Sequence, residues 1–250
     1  VDALSAWFML IINFAFLSGG FYGLFYMSAY KDQPKNLSLH GILFLLLHAS
    51  LISLCVVQNS IVFLIAWEIM ALSAFLSVIF EHEKPDTIKA GINYLIQSHV
   101  SILFLMIGFI WVASQTGSYD FDAIRTYSMT HKGPVSELLF LTFFTGFAIK
   151  AGFVPFHTWL PYAHPAAPAH ISGIMSGVLI KIGIFGILRM LLLIDVNYTS
   201  MGIFILIISL ISGLYGVMLA ILQHNLKKLL AYHSIENIGI IGIGIGLGCI

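Results

Sequence analysis

The sequence predicts an all-α, polytopic bundle of transmembrane helices, and three observations carry that prediction. Hydrophobic residues fill 59% of the chain and charged residues only 9%, whereas soluble domains are typically about 25% charged. Mean hydropathy is +0.98 at a formal net charge of zero. Apolar runs of about 20 residues, the length that crosses a bilayer, recur from one end of the chain to the other. The 11 lysines and arginines are scattered singly or in pairs, so nucleic acid is excluded as a partner and the lipid bilayer is the expected surrounding. Cys55 and Cys249 both fall in apolar runs and read as small buried hydrophobes rather than a disulfide framework.

Eight spans follow in order, near residues 4–28, 41–57, 60–80, 91–114, 135–161, 170–193, 199–223 and 226–250. The first ends at the polar stretch YKDQPKNLS, and the second and third meet at a tight turn, Gln58-Asn59. EHEKPDTIK separates the third from the fourth. The longest connection, 115–134, mixes aromatics, acids and Arg125, so it reads as a short interfacial helix. The remaining connections lie around 164–168, 195–198 and 224–225. A start without Met, the absence of a basic n-region and an apolar C-terminal end predict a piece of a longer protein with no signal peptide.

Charge distribution orients the bundle. In this span model Lys31, Lys35, Lys84, Lys89, Lys227 and Lys228 share one side, and Arg125, Lys132 and Arg189 the other. The positive-inside rule puts the first side in the cytoplasm.

Two cations are left inside spans, Lys150 in FFTGFAIKAGFVPF and Lys181 in ISGIMSGVLIKIGIFGILR. A lysine at the bilayer centre costs roughly 2.5–3.5 kcal/mol on insertion scales. Glu68 in IVFLIAWEIMALSAF and Glu236 in AYHSIENIGIIGIG are acids in the same setting. At 1.5 Å per residue, Glu68 lies about 12 Å from the start of its span and Lys181 about 16 Å, mid-membrane in both cases. Buried acids and bases in successive spans point to a path for protons or cations; static ion pairs that hold helices together are the structural alternative. Glu137 opens a span and reads as interfacial.

After Lys150 comes AGFVPFHTWLPYAHPAAPAH, with Gly152, Pro155, Pro161, Pro165 and Pro168. Proline removes a backbone donor and ends or kinks a helix. The residue pattern leaves two readings open: a discontinuous helix at an ion site, as in transporters, or a span that ends near Pro155 and continues as an interfacial loop. His48, His99, His157, His164, His170 and His233 lie in or beside spans. Histidine titrates near neutral pH and can relay protons; His99 and His233, deeper in their spans, are the stronger candidates. No histidine pair has metal-ligand spacing, so no metal is assigned. The glycine run GIIGIGIGLG reads as close helix packing and, not following a strand, fails as a nucleotide loop.

The run KAGFVPFHTWLPYAHPAAPAHISGIMSGVLIKIGIFGILR, supported by VDALSAWF, FLIAWEIMALSAF and NLKKLLAYHSIENIGII, resembles the antiporter-like membrane subunits of respiratory complex I, Mrp sodium/proton antiporters and membrane-bound hydrogenases. The resemblance covers essentially the whole chain and corresponds to spans three to ten of a family with about fourteen spans built from two inverted five-helix repeats. It implies a complete first repeat over 41–193 and the start of a second over 199–250. It also implies that Glu68 pairs with Lys150 on the broken helix and that Lys181 on the next helix takes the proton onward; His233 and Glu236, and His99, join this path as candidates read from the residues themselves. The break is the family's loop, here Pro155, His157, Pro161, His164 and Pro165. Tyr162 replaces the aspartate of the common LPDAH form and Asn237 stands where many complex I members carry histidine, wording closer to the hydrogenase-linked branch, as in formate hydrogenlyase. Glu236 is expected to mirror Glu68.

The resemblance therefore implies a proton-translocating subunit of a redox-driven complex in the cell's inner membrane. Partners would be other membrane subunits and, through them, peripheral redox subunits. The chain has no CxxC cluster and no flavin or nucleotide motif, so no cofactor is assigned to it and electron chemistry falls to the partners. The alternative is an Mrp-type sodium/proton antiporter subunit using the same charges.

Overall fold

The computed structural model describes residues 1–32 and 34–250, with side chains throughout except at Pro34 and Lys35; Lys35 of the loop-charge count therefore falls outside the described side chains. Among the described residues there are no strands, and eight helices are long and apolar enough to cross a membrane. The helices are α1 (Ala3–Tyr26), α2 (Pro34–Val56), α3 (Ser60–Val78), α4 (Pro85–Thr116), α5 (Phe121–Thr130), α6 (Pro134–Ala151), α7 (Leu160–Ala166), α8 (Ala169–Ile174), α9 (Lys181–Leu193), α10 (Tyr198–Ile221) and α11 (Leu226–Cys249). A π-helical segment, Met175–Leu179, joins α8 to α9. The sixth span thus contains its own irregularity, one the sequence reading did not anticipate.

Helix ends follow local chemistry. Asn59, Asn197 and Asn225 cap α3, α10 and α11, their side chains accepting from backbone N–H groups of the first turn, as N-cap residues do. Pro85 and Pro134 open α4 and α6, where a missing N–H costs nothing. The short helix expected in the longest connection is α5; backbone bonds from Ser60 to Tyr119 (2.7 Å) and from Phe121 to Gln58 (2.8 Å) pin its leading end to the start of α3. The fourth span begins at Pro85 rather than near residue 91, because polar Asp86 and Lys89 ride on its first turns.

Helix α4 packs on both α3 and α6, which also meet where Phe63 and Trp67 pack against Phe147, and α6 packs on α9. Glycine sets the closest approach there: a Cβ on Gly183 of α9 would lie 2.6 Å from the Phe147 carbonyl oxygen and 2.8 Å from the Ala151 nitrogen. The glycine run of α11 packs as expected, with a Cβ on Gly239 falling 2.4 Å from the Gly213 nitrogen of α10.

One loop-charge assignment is corrected. Arg189 lies inside α9 and is buried, forming a bidentate ion pair with Asp2 and donating to the Ser5 hydroxyl at 2.8 Å. Ser5 donates in turn to the Cys55 carbonyl, so the guanidinium ties α1, α2 and α9 together. Its hydrogen bonds, with the Ser5 backbone N–H, hold the Asp2 carboxyl well below the ordinary carboxylate range. Cys55 is buried, Cys249 is partly buried, and both are free thiols.

Candidate functional site

Helix α6 ends immediately after Lys150. Gly152 adopts φ +83°, the left-handed conformation of a helix C-cap, and Pro155 prevents the helix from resuming. The freed backbone is satisfied by protein: the Val154 N–H donates to the Ser212 hydroxyl of α10 at 3.0 Å, and the Trp159 indole N–H donates to the Ile149 carbonyl at 3.0 Å. Trp159, Leu160, Ala163 and His164 are buried, and α7 packs on α4 and α11. Of the two readings the residues left open, the discontinuous helix is the one observed. Pro161 and Pro165 sit within α7, while Lys227 closes its far end by donating to the Ala167 carbonyl at 2.9 Å. His157 is buried against the Tyr215 ring, centroids 4.9 Å apart.

Lys150 is 1% exposed. Its ammonium donates to the Tyr94 hydroxyl at 2.7 Å and to the Ser98 hydroxyl at 3.5 Å, and lies 4.6 Å from the Tyr94 ring centroid. Tyr94 is itself held against Trp159, ring centroids 5.1 Å apart. The direct Glu68–Lys150 pair implied by the family resemblance is not present: Glu68 meets His99 Nε2 at 3.2 Å instead. Helix geometry gives the reason. Ser98 and His99 are successive residues of α4, about 100° apart around its axis, so one faces Lys150 on α6 and the other faces Glu68 on α3.

Lys181 is half-buried and donates to the Ser176 carbonyl of the π-helical segment at 3.1 Å. The Ser176 hydroxyl shares a 2.8 Å hydrogen bond with Ser234 of α11, adjacent to His233, whose Nδ1 lies 2.5 Å from Glu236. The predicted site residues thus form two groups. Glu68, His99 and Lys150 gather around α4; Lys181 is joined through Ser176 and Ser234 to the α11 stretch that carries His233 and Glu236. Tyr94, Ser98, Ser176 and Ser234 were not singled out from sequence, since hydroxyl side chains in apolar helices carry no signal until their partners are known. Among the described residues no cluster of metal-ligating side chains occurs.

Residues 57–250 match the family model described as NADH:quinone oxidoreductase/Mrp antiporter, TM. Over its whole length the chain is 39% identical to Hydrogenase-4 component B of Escherichia coli (strain K12), covering 37% of that protein. NADH-quinone oxidoreductase subunit M of Rickettsia bellii (strain RML369-C) is 29% identical over 98% of the chain and 48% of that subunit. The chain therefore spans less than half the length of these relatives. Two solved structures share the fold: the Mrp complex from Dietzia sp. DQ12-45-1b (TM-score 0.86, 22% identity, 99% of this chain and 45% of that one) and the membrane-bound sulfane sulfur reductase, an archaeal respiratory membrane complex (TM-score 0.84, 24% identity, 98% and 40%).

Proposed function

Because the chain belongs to the NADH:quinone oxidoreductase/Mrp antiporter membrane family, we propose that it is the central part of a proton-translocating subunit in a redox-driven membrane complex of the hydrogenase or NADH dehydrogenase kind. The observation that carries this reading is the environment of Lys150: a sealed ammonium held by two hydroxyls rather than by a counter-ion. Arg189 supplies the contrast within the same chain, since a cation serving structure is locked into a bidentate pair with Asp2. A charge held by hydroxyls is free to change its protonation when a carboxylate nearby gains or loses charge, and Tyr94 and Ser98 both carry exchangeable protons.

In this mechanism a proton taken up near Glu68 and His99 changes the field at Lys150. Lys150 passes its proton toward Lys181 on the neighbouring helix, and the Ser176–Ser234 link leads on to His233 and Glu236. The 41–193 and 199–250 repeat organisation, an inner-membrane location, and partnership with further membrane subunits and peripheral redox subunits belong to the same reading. The higher identity to a hydrogenase component supports it over the sodium/proton antiporter alternative.

The test is proton uptake by the intact complex, reconstituted in liposomes containing a pH-sensitive dye and driven by its electron donor. Uptake that follows electron flow without added sodium is expected. Uptake that runs on a sodium gradient with no electron donor would replace this reading with the antiporter one.

A further inference from the structure

His40 of α2 and His170 of α8, 130 residues apart, face each other with their Nε2 atoms 2.7 Å apart. Two imidazole lone pairs cannot approach so closely, so one ring donates an Nε2 proton to the other. Each ring is 5% exposed, and both Nδ1 atoms are buried with no protein partner among the described residues. An unsatisfied buried polar atom costs roughly 1–3 kcal/mol, so an apolar pair would hold these helices together better. A cavity of about 580 Å³ between α1 and α2 abuts both rings, lined by Gly23, Met27, Ser28 and Phe44 along with the histidines. Gly23 lets the α1 backbone lie directly over the imidazole; a Cβ there would sit 3.1 Å from His170 Cδ2.

The titratable neighbours are otherwise engaged. Tyr26 on α1 presents its ring 5.7 Å from His170, and Phe80 covers His40 at 5.0 Å. Glu81, beside Phe80, accepts from Tyr30 and pairs with Lys84. His164 on α7 turns to the Ser172 hydroxyl at 2.6 Å.

We propose that His40 and His170 hold one exchangeable proton between them, making the pair a proton-loading point beside the α1–α2 cavity, separate from the glutamates and lysines described above. The neutral pair has two N–H bonds: the shared Nε2 proton and one Nδ1 proton on the accepting ring. Loading adds a proton from cavity water to the vacant Nδ1; release removes a proton from either Nδ1 and restores neutrality. No electrons move. A second added proton would set two imidazolium rings in contact, and like charges that close disfavour it, so the pair titrates as a unit. Both Nδ1 atoms are covered, so exchange waits on water reaching the rings along the cavity wall.

The inference rests on the proposed function, and its test separates the two. His40→Gln and His170→Gln, singly and together in the full-length chain within its assembled complex, are compared for proton translocation across pH. Each single variant is expected to lower the rate about tenfold or more and to remove one titration from the pH–rate profile, with the double variant no worse than either single. Wild-type rate and profile in an assembled single variant, or additive losses, would overturn the pair. Should the variants fail to assemble, solid-state NMR of the wild-type complex with 15N-labelled histidine decides: a coupling across the Nε2–Nε2 hydrogen bond is expected, and its absence overturns the proposal. If wild-type complex translocates no protons at all, the functional reading fails instead.

Discussion

Lys150 rests on Tyr94: the ammonium donates to the hydroxyl at 2.7 Å and lies over the ring at 4.6 Å from its centroid. The contact joins the last turn of α6 to the first third of α4 and makes a tyrosine, rather than a carboxylate, the nearest partner of the buried cation. Removing only the hydroxyl isolates its contribution. Tyr94→Phe keeps the ring and its packing against Trp159 but deletes an acceptor to a charged group, worth about 1.5–3 kcal/mol. The complex is expected to assemble and to translocate protons at a clearly reduced rate. Proton uptake at the wild-type rate would show that the hydroxyl takes no part.

Glu68 is expected to couple more strongly to His99 than to Lys150. The first pair is in contact at 3.2 Å, whereas the second is not. Two double-mutant cycles on complex stability, Glu68→Gln with His99→Gln and Glu68→Gln with Lys150→Met, measure both couplings. Contacting pairs show about 0.5–3 kcal/mol. A larger energy for Glu68 with Lys150 would mean that the working state brings those two together directly.

Much of this arrangement was legible in the sequence, and the parts that were not share a cause. Hydropathy delivers the spans because bilayer thickness imposes their length, and the prolines after Lys150 announce a break. The π-helical segment at Met175–Leu179 leaves no such mark, since Gly177 within it and Gly173 just before it are ordinary in a membrane helix. Tyr94 reads as an aromatic in an apolar helix until Lys150 arrives from 56 positions away. His40 reads as a residue at the edge of a span until His170 meets it. The family resemblance implies that Glu68 pairs with Lys150; in the structure the residue Glu68 touches is His99, a partner that only the packing of α3 on α4 reveals.

Gly183 brings the backbones of the two lysine-bearing helices together. Gly183→Ala would drive a methyl group to 2.6 Å from the Phe147 carbonyl oxygen, forcing α9 away from α6. Overpacking of this kind costs about 1–3 kcal/mol. A lower unfolding temperature of the assembled complex is expected, together with slower proton transfer, because Lys150 and Lys181 separate. Unchanged thermal stability would contradict the close packing.

Asp2 and Arg189 give a pH dependence with a definite sign. The Asp2 carboxyl ordinarily titrates near 3.8 and is held lower in the fold by its bonds to Arg189 and the Ser5 N–H. A depressed acid stabilises the folded state above its unfolded value and loses that contribution as pH falls through the folded one. Wild-type stability should therefore drop on acidification below about pH 4 more steeply than that of Asp2→Asn. Because Asp2 is about half exposed, solvent screening keeps the difference small. Identical acid profiles would remove the pair as a source of stability.

Lys181→Ala tests the central claim most directly, since the residue is a half-buried cation with one carbonyl acceptor and no carboxylate partner among the described residues. The measurement is the initial rate of proton uptake into liposomes holding the intact complex, at matched assembly and matched electron flow. The account predicts an assembled complex that still passes electrons but takes up protons at a small fraction of the wild-type rate. Wild-type uptake by the assembled variant would contradict it and leave the buried charges with a structural role alone.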